Sequence, residues 1–494
     1  MSAGPAPQTI LPPPENVLWR WPFSPKAWER TPREVRDFFL AQSSGYQQLR
    51  NENLELQQTV AALTARLNKD SKNSSKPPSS DSPAQKARRK RAKEQAPENM
   101  TTPNTSRKKR GARPGHPGHG PVLLEPTQPP TEVRPDTCTG CGGQHFSHFV
   151  RYDTRQRIEI HIERSVEHAH CFEGTCGACG VVTRPALPQP FRTGFGPTAT
   201  TLAGFLTGLF PGTRRAVRDF FQQVLEIPID LGTVQKLIDR NSCAIEPLYD
   251  AIGEIARKAP VNHIDETSQF LYHQLAWLWA MVNRSVAYYK IHVNRSGEAF
   301  RALIGDWAGT LVADDYVVYR DWPHDKQSCI PHLQRHATGV AENPDLEIAR
   351  FGKRMLEELS RLSAMAHAPP TMGQFLAWLM RISRLLNNHA ERKDDAGTLA
   401  RAIQRQKRDL WTFLVVPGVE HTNNRAERAV RFGVIWRKRS LSIQSDKGCR
   451  WVERLLTVRE TCRLQGVPAY AVLRDAVRAH LEGDRPDLSW LPAA

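Results

Sequence analysis

The chain of 494 residues is 39% hydrophobic, which is enough for about three domains with buried cores. Its 68 Lys and Arg outnumber its 51 Asp and Glu, and the resulting charge of +17 favours nucleic acid or another anionic partner and makes a basic partner unlikely. Nine cysteines without a secretory leader predict a cytoplasmic protein. No apolar stretch approaches the length of ~20 residues that is needed to cross a bilayer, which excludes a membrane-spanning protein.

The N-terminal region predicts an arm followed by a coiled coil. Residues 1–45 are rich in proline and tryptophan, which predicts poor order with a short helix near residues 32–43. Residues 46–69 carry a heptad repeat, whose two seam positions hold Leu49, Leu56 and Leu63, and Asn53, Val60 and Leu67. A seam asparagine favours two strands, so we expect a homodimer or a higher assembly on DNA. A single amphipathic helix packed on its own chain is the alternative.

Residues 70–121 are expected to be a disordered basic linker. Between residues 68 and 120, fourteen Lys and Arg face four Asp and Glu, a net +10, and large apolar side chains are almost absent. Such a segment can neutralise DNA phosphates, and its second cluster comprises Arg107, Lys108, Lys109, Arg110 and Arg113. A solubilising linker without DNA contacts is the alternative.

Residues 122–190 contain two Cys-x-x-Cys-Gly motifs, which predict a zinc-binding domain. The motifs supply Cys138 and Cys141, then Cys176 and Cys179, and four thiolates complete a closed structural zinc site. A pair of disulfides is the alternative, although it is rare in a reducing compartment. Cys171, His145 and His170 lie nearby and are expected to be bystanders.

Residues 195–255 predict helices that resemble a helix-turn-helix. Apolar residues recur with helical spacing from Val217 to Leu225 and again from Val234 to Ile245, the second helix following a predicted N-cap at Thr233. Helix pairs are common, so a plain helical packing unit is the alternative to a DNA-binding one.

Residues 260–340 change to a strand pattern in the order β-β-β-α-β. We predict strands at 262–271, 275–283, 285–292 and 310–314, and a helix at 298–307. Asp265 lies on the first strand and Asp314 ends the fourth. Each acid has a structural explanation, as a turn residue or a strand cap.

A third acid, Glu427, lies on a predicted helix far downstream. Asn424, Glu427, Arg428 and Arg431 share one face of that helix by their spacing, although Asn424 and Glu427 are also spaced like a capping box. Three carboxylates from two strands and a helix can hold two Mg²⁺ ions for phosphodiester chemistry.

These motifs together resemble the insertion-sequence-66 family of bacterial transposases. The resemblance rests on Asn73-Ser-Ser-Lys-Pro-Pro-Ser-Ser-Asp81, the glycine- and proline-rich run 111–119, the twin Cys motifs, Asp265-Glu-Thr, Asn294-Arg-Ser-Gly-Glu, Asn423-Asn-Arg-Ala-Glu-Arg-Ala-Val-Arg431 and the tail 459–475. It implies a ribonuclease-H-like core of the DDE type, at 260–340 and 420–480, split by an all-helical insertion at 341–415, with a tail at 481–494. It also implies that Asp265, Asp314 and Glu427 bind Mg²⁺ or Mn²⁺.

The sequence departs from the family at three places. Relatives usually have Asp-Gly-Tyr where this chain has Asp314-Asp315-Tyr316, so the choice between the two acids rests on resemblance. Cys329-x-x-His332 matches a family pattern only in its outer members, and we expect a structural role for it. The stretch Trp436-Arg437-Lys438-Arg439 replaces a similarly basic one and is expected to contact DNA.

The sequence therefore predicts a multidomain α+β transposase, associated with the bacterial nucleoid, in which a coiled coil, a zinc ribbon and helix-turn-helix-like helices precede the catalytic core. It would cleave the 3′ ends of its element and join them to target DNA, with possible helper proteins from the same element. A zinc-dependent DNA-binding regulator without catalysis is the main alternative, and a nuclease without strand transfer is the third.

Overall fold

The computed structural model describes residues 25–67, 73, 123–210, 212–440 and 443–493. The chain divides into a larger unit, made of residues 1–88, 195–213 and 235–494, and a smaller unit, made of residues 89–194 and 214–234. Both helices and a mixed sheet are present, so the predicted α+β class is confirmed. The predicted basic cluster, Arg107, Lys108, Lys109, Arg110 and Arg113, lies outside the described residues.

The elements are numbered here in chain order. The helices are α1 Pro25–Glu29, α2 Arg33–Leu67, α3 Pro197–Gly208, α4 Arg214–Gln223, α5 Leu231–Ala244, α6 Glu246–Lys258, α7 Gly297–Ile304, α8 Val317–Arg320, α9 Ile330–Ala341, α10 Leu346–Ala364, α11 Met372–Asn387, α12 Asp395–Arg405, α13 Thr412–Val415, α14 Asn424–Ser440, α15 Asp446–Gln465 and α16 Ala469–Glu482. The strands are β1 Gly174–Thr175, β2 Val182–Thr183, β3 Val261–Leu271, β4 Gln274–Val282, β5 Ala287–His292, β6 Thr310–Ala313 and β7 Lys326–Ser328.

Helix α2 is a single uninterrupted helix of 35 residues. The sequence predicted a short helix and then a separate coiled coil, but no proline or glycine pair breaks the chain between them, so the helix continues. Four of its apolar seam residues are at least half exposed, namely Leu49 at 65%, Leu56 at 64%, Val60 at 61% and Leu63 at 50%. The described part of the seam is therefore open to solvent in the single chain.

The sheet of the larger unit has five strands in the order β5-β4-β3-β6-β7. Strands β3, β4 and β5 are antiparallel neighbours, whereas β6 lies parallel to both β3 and β7. The predicted order β-β-β-α-β is confirmed, with α7 as the helix. β-Branched and aromatic residues fill the strands, and Ile264, Trp279 and Val312 are fully buried, as expected where helices cover a sheet.

Helix α15 covers the open edge of β5. The backbone N–H groups of Ala287, Tyr289 and Ile291 donate to side chains of α15, namely to Thr461 Oγ1 at 3.2 Å, Thr457 Oγ1 at 3.1 Å and Glu453 Oε1 at 2.7 Å. The three acceptors are spaced four residues apart, so they lie on one helix face. The edge hydrogen bonds that a further strand would have made are thus satisfied by a helix.

Residues 341–415 contain helices and no strand, as predicted for the insertion. Helices α10, α11 and α12 share a core with α9 in which Phe351, Met355, Trp378 and Ile382 are buried. The spacing of these residues within each helix follows the i, i+4 rule of an amphipathic helix.

In the smaller unit, none of the described residues from 123 to 194 is buried. Its β1–β2 hairpin carries the second Cys motif between its strands. The predicted N-cap of α5 was wrong: Asp230 Oδ1 accepts from the backbone N–H of Thr233 at 2.7 Å, so Asp230 caps the helix three residues earlier.

No helix among the described residues is both long enough and apolar enough to cross a bilayer.

Candidate active site

The two predicted aspartates lie on neighbouring parallel strands. In the β3–β6 pair, Asn262 is opposite Leu311 and His263 is opposite Val312. Continuing this register by two residues places Asp265 opposite Asp314, the residue that follows β6. Paired positions on adjacent strands project to the same face of a sheet, so the two side chains face the same way.

Asn423 fixes the start of α14 against β3. Its Nδ2 donates to the carbonyl of Ile264 at 2.8 Å, next to Asp265, and its backbone N–H donates to Cys329 Sγ at 3.2 Å. Its own carbonyl accepts from the N–H of Glu427 at 3.1 Å. These bonds bring the first turn of α14, with Glu427, to the end of the sheet that carries Asp265.

The three acids form one electrostatic cluster. Burial raises the pKa of Asp265 well above its usual range, and the negative charges of Glu266, Asp314 and Glu427 raise it further. Burial also raises the pKa of Asp314, although the N–H of Tyr316 and the charge of Arg295 act in the opposite direction. Carboxylates this crowded repel one another, and a bound cation would relieve that repulsion.

Glu427 contacts helix α9. Its Oε1 lies 3.5 Å from a guanidinium nitrogen of Arg335 and 3.6 Å from His332 Nδ1. The carboxylate therefore points across to another helix instead of back to the N–H of Asn424, which is what a capping box requires. The capping-box interpretation does not describe this structure.

Asp314 and its neighbour have different partners. Asp314 Oδ1 accepts from the N–H of Tyr316 at 2.9 Å. Both oxygens of Asp315 instead receive the guanidinium of Arg320, each at 3.0 Å, and Arg405 lies 3.8 Å away. Asp315 is thus neutralised by arginines, whereas Asp314 acts electrostatically on Asp265 and Glu266.

A fourth acid, Glu266, is held by its own partners. Arg295 Nε donates to its carboxylate at 2.8 Å, and the hydroxyl of Tyr319 donates to its other oxygen. The Arg295 guanidinium also lies over the rings of Tyr316 and Trp277. Arg295 comes from the Asn294-Arg-Ser-Gly-Glu motif, and this contact explains the position of that motif in the fold.

The predicted face of α14 is present. Asn424, Arg428 and Arg431 are exposed and Glu427 is half-buried, while Ala426, Ala429, Val430, Gly433 and Trp436 are buried on the other side. Further along the helix, Lys438 and Arg439 are exposed, and Arg437 is half-buried and donates to Ser268 Oγ at 2.7 Å. Several cations thus share one helix with the candidate catalytic glutamate.

Cys329, His332 and Glu427 form a second cluster that overlaps the first. One ligand atom from each lies within 4.8 Å of the other two, and no other such group of three His, Cys, Asp or Glu occurs among the described residues. Burial raises the pKa of Cys329 to about 12 and lowers the pKa of His332 to about 4, so the thiol is protonated and the imidazole neutral.

The two Cys motifs of the smaller unit adopt the same turn. The N–H of Cys138 donates to Gly143 O and that of Gly142 to Cys138 O, each at 2.8 Å, and the Cys176 motif has the equivalent bonds at 2.9 and 2.8 Å. The glycine after each second cysteine, Gly142 or Gly180, has φ of +72°. Backbone N–H groups, first those of Cys141 and Ala178 respectively, lower the pKa of Cys138 and of Cys176. Within the described residues the two motifs do not converge on one four-sulfur cluster.

Sequence reasoning missed Asn423 and Arg335 as supports of Glu427. Arg335 is separated from Glu427 by 92 residues, and only the folded contact between α9 and α14 brings the two together. The available signal for Asn423 was its place in the Asn-Asn-Arg-Ala-Glu motif, directly before the predicted helix.

Comparison with known proteins shows which families the chain is similar to. Residues 33–121 match a family of unknown function (DUF6444). The uncharacterized protein y4qI of Sinorhizobium fredii (strain NBRC 101917 / NGR234) is 23% identical over 222 residues, which are 39% of this chain and 41% of that protein. This chain thus spans about two fifths of the length of that relative. The Transposase IS66 family matches residues 211–450, a region that includes all three candidate acids, and this match supports an assignment to that family of transposases.

Proposed function

We propose that this protein is a DDE-type DNA transposase that binds the terminal inverted repeats of an insertion sequence, cleaves their 3′ ends and transfers them to target DNA. The observation that carries the proposal is the placement of Asp265 opposite Asp314 on adjoining strands, with Glu427 close enough to act on Asp265 electrostatically, within a region that matches transposases. A mixed sheet with acids on adjoining strands and on a packed helix also supports a ribonuclease-H-like core.

The three acids fit divalent cations of the Mg²⁺ class. Their donor atoms are all carboxylate oxygens, which Mg²⁺ and Mn²⁺ prefer. Burial raises the pKa of Asp265, and the negative charges of Glu266, Asp314 and Glu427 raise it further, so a cation at this place would be stabilised. When bound there, a pair of such ions supplies an activated water or 3′-hydroxyl and stabilises the leaving oxygen.

The residues around the acids position them and the DNA. Arg335 and Asn423 hold Glu427 and the start of α14, so the glutamate is fixed relative to Asp265. Arg428 and Arg431 are exposed on the face of α14 that carries Glu427, where they can bind the phosphates that flank the scissile bond. Arg437, Lys438 and Arg439 extend this DNA contact.

The remaining parts of the chain are proposed to bind DNA and assemble the complex. The basic segment 70–121 supplies affinity that does not depend on DNA sequence. The exposed seam of α2 pairs with a second copy as a coiled coil. The matching turns at Cys138 and Cys176 support a zinc ribbon, because paired thiolates in tight turns are the usual half-sites of structural zinc.

Replacement of the helix acid tests the proposed chemistry. Glu427→Gln removes a metal-binding charge and keeps side-chain shape, so we expect binding of the element ends to persist and cleavage in Mg²⁺ or Mn²⁺ to fall at least ~100-fold. Both are measured on DNA that flanks the gene, by gel shift and by strand cleavage. Glu357→Gln, at an exposed position of α10, is the matched control. Strand transfer by the Glu427 variant at the wild-type rate would refute the proposal.

A further inference from the structure

The cluster of Cys329, His332 and Glu427 combines three different donor types in one place. A thiol, an imidazole and a carboxylate each offer one atom, and all three atoms lie within 4.8 Å of one another. Cys329 is 1% exposed, so the thiol lies inside the protein. A sulfur–nitrogen–oxygen set of this kind is the donor chemistry of Zn²⁺ and related borderline cations, and Mg²⁺ does not select it.

His332 contributes a nitrogen without a hydrogen bond. Among the hydrogen bonds between described residues, none reaches its buried Nδ1. A buried polar atom without a hydrogen-bond partner destabilises the folded state, and protein structures usually provide such an atom with a partner. The atom lies 3.6 Å from Glu427 Oε1, so a partner placed between them would be shared with the carboxylate.

The backbone around Cys329 supplies groups that would stabilise a thiolate if a metal ion displaced the proton of the thiol. Cys329 is the N-cap of α9, and the positive end of a helix favours a negative sulfur. The N–H of Asn423 donates to its Sγ at 3.2 Å. The N–H of Cys329 itself bonds the carbonyl of Ala313 at 2.9 Å, so the cysteine is fixed to the end of β6 beside Asp314.

We propose that Cys329, His332 and Glu427 form a binding site for a single Zn²⁺-class cation, distinct from the carboxylate site and sharing Glu427 with it. Three protein ligands leave one coordination position open for water. Arg335, 3.5 Å from Glu427, is the cation that holds this carboxylate in the described structure, and zinc would compete with it.

Sharing of Glu427 makes zinc an inhibitor, and this part of the inference rests on the proposed function. A glutamate that ligates zinc together with Cys329 and His332 is withdrawn from Asp265 and Asp314. Zinc at this site therefore lowers cleavage in Mg²⁺ without displacing DNA.

The zinc content of the full-length protein tests the site itself. Wild type and Cys329→Ser are dialysed against zinc, and bound metal is measured by mass spectrometry. The Cys motifs of the smaller unit are intact in both, so they do not contribute to the difference. We expect the variant to hold one zinc fewer per chain, and Cys462→Ser, which removes an equally buried thiol from α15, to hold as much as wild type.

Two further variants keep the test decisive. If circular dichroism shows that Cys329→Ser is unfolded, His332→Gln replaces it in the same comparison. Arg335→Gln should tighten zinc binding, because it removes the competing positive charge from Glu427. Equal zinc content and equal affinity in the wild type and in all folded variants would overturn the inference.

Zinc titration of the cleavage reaction tests the inhibition. At fixed Mg²⁺, Cys329→Ser should need at least about tenfold more zinc than wild type for half inhibition, since loss of even an outer partner of a metal ligand weakens binding by that much. Cleavage with identical zinc sensitivity in both proteins would refute the shared site. A zinc difference in a protein that never cleaves DNA would refute the proposed function and leave the metal site intact.

Discussion

Asp314 and Asp315 are adjacent in the chain but have different surroundings. Arg320 and Arg405 neutralise Asp315, and Asp314 faces Asp265. We expect Asp314→Ala to abolish metal-dependent cleavage and Asp315→Gly to leave it largely intact, with a loss of stability below ~1 kcal/mol because the lost ion pair is partly exposed. Cleavage of supercoiled and pre-nicked end substrates at matched protein levels measures this. An inactive Asp315 variant beside an active Asp314 variant would show that the assigned ligand is off by one residue.

Asp265 makes the metal-free protein sensitive to pH. Its raised pKa means that the folded state keeps a proton that the unfolded state releases above about pH 4. The free energy of unfolding therefore falls as pH rises from there through the raised pKa. Asp265→Asn should remove this dependence and stabilise the chelator-treated protein at pH 8, because it removes a buried group that would otherwise have to ionise there. Thermal melts at pH 5 and 8 test it, and a less stable variant at pH 8 would contradict it.

Helix α15 stabilises the sheet through hydrogen bonds to β5. Thr457 is fully buried and accepts from the N–H of Tyr289, so Thr457→Val keeps the volume but leaves a buried donor unsatisfied. The expected loss is ~1–3 kcal/mol in the free energy of unfolding. Thr457→Ser keeps the acceptor oxygen and should lose less. Urea unfolding measures both variants, and equal stability of the valine variant and wild type would show that this bond contributes nothing.

The strands and helices near the site were predictable because their patterns are local. Alternating and apolar residues predicted β3 to β6 to within a few residues at each end. The β3–β4 turn was harder: Tyr272 and His273 have φ of 50° and 64° without a glycine or asparagine, so turn chemistry gave no signal there. The sequence predicted Thr233 as the N-cap of α5, whereas Asp230 caps the helix in the structure. Asp and Thr are both good N-caps, and only the backbone geometry distinguishes them.

The candidate site was predictable only in part, because its supports come from distant segments. Asp265 and Asp314 could be found because they are charged residues in apolar strands, and Glu427 could be found because it belongs to the Asn423–Arg431 motif. The association of His332 with Glu427 depends on how α9 packs beside α14, and sequence spacing contains no information about that packing. The same holds for Lys326, which is buried and paired with Asp409 across the end of the insertion.

At the scale of the whole molecule, we expect the smaller unit to depend on metal for stability. None of its described residues from 123 to 194 is buried, so apolar burial cannot order this segment. We expect one zinc per chain through Cys138, Cys141, Cys176 and Cys179, which makes folding here coupled to metal binding. A Cys138→Ser, Cys176→Ser double variant should lose that zinc and show a changed melting curve. Full zinc content with an unchanged melting curve would exclude the four-cysteine site.

Because α15 covers the edge of strand β5, a chain shortened before the end of α15 would expose that edge. A chain that ends at residue 450, where the family match ends, keeps all three candidate acids but lacks most of α15. Thr457 and Thr461 would be gone, and the N–H groups of Tyr289 and Ala287 would face solvent along an apolar strand. An uncovered strand of this kind recruits identical strands from other molecules, so the shortened protein would polymerise through its sheet before its chemistry could be assayed. We therefore expect the segment beyond residue 450 to protect this strand edge from aggregation.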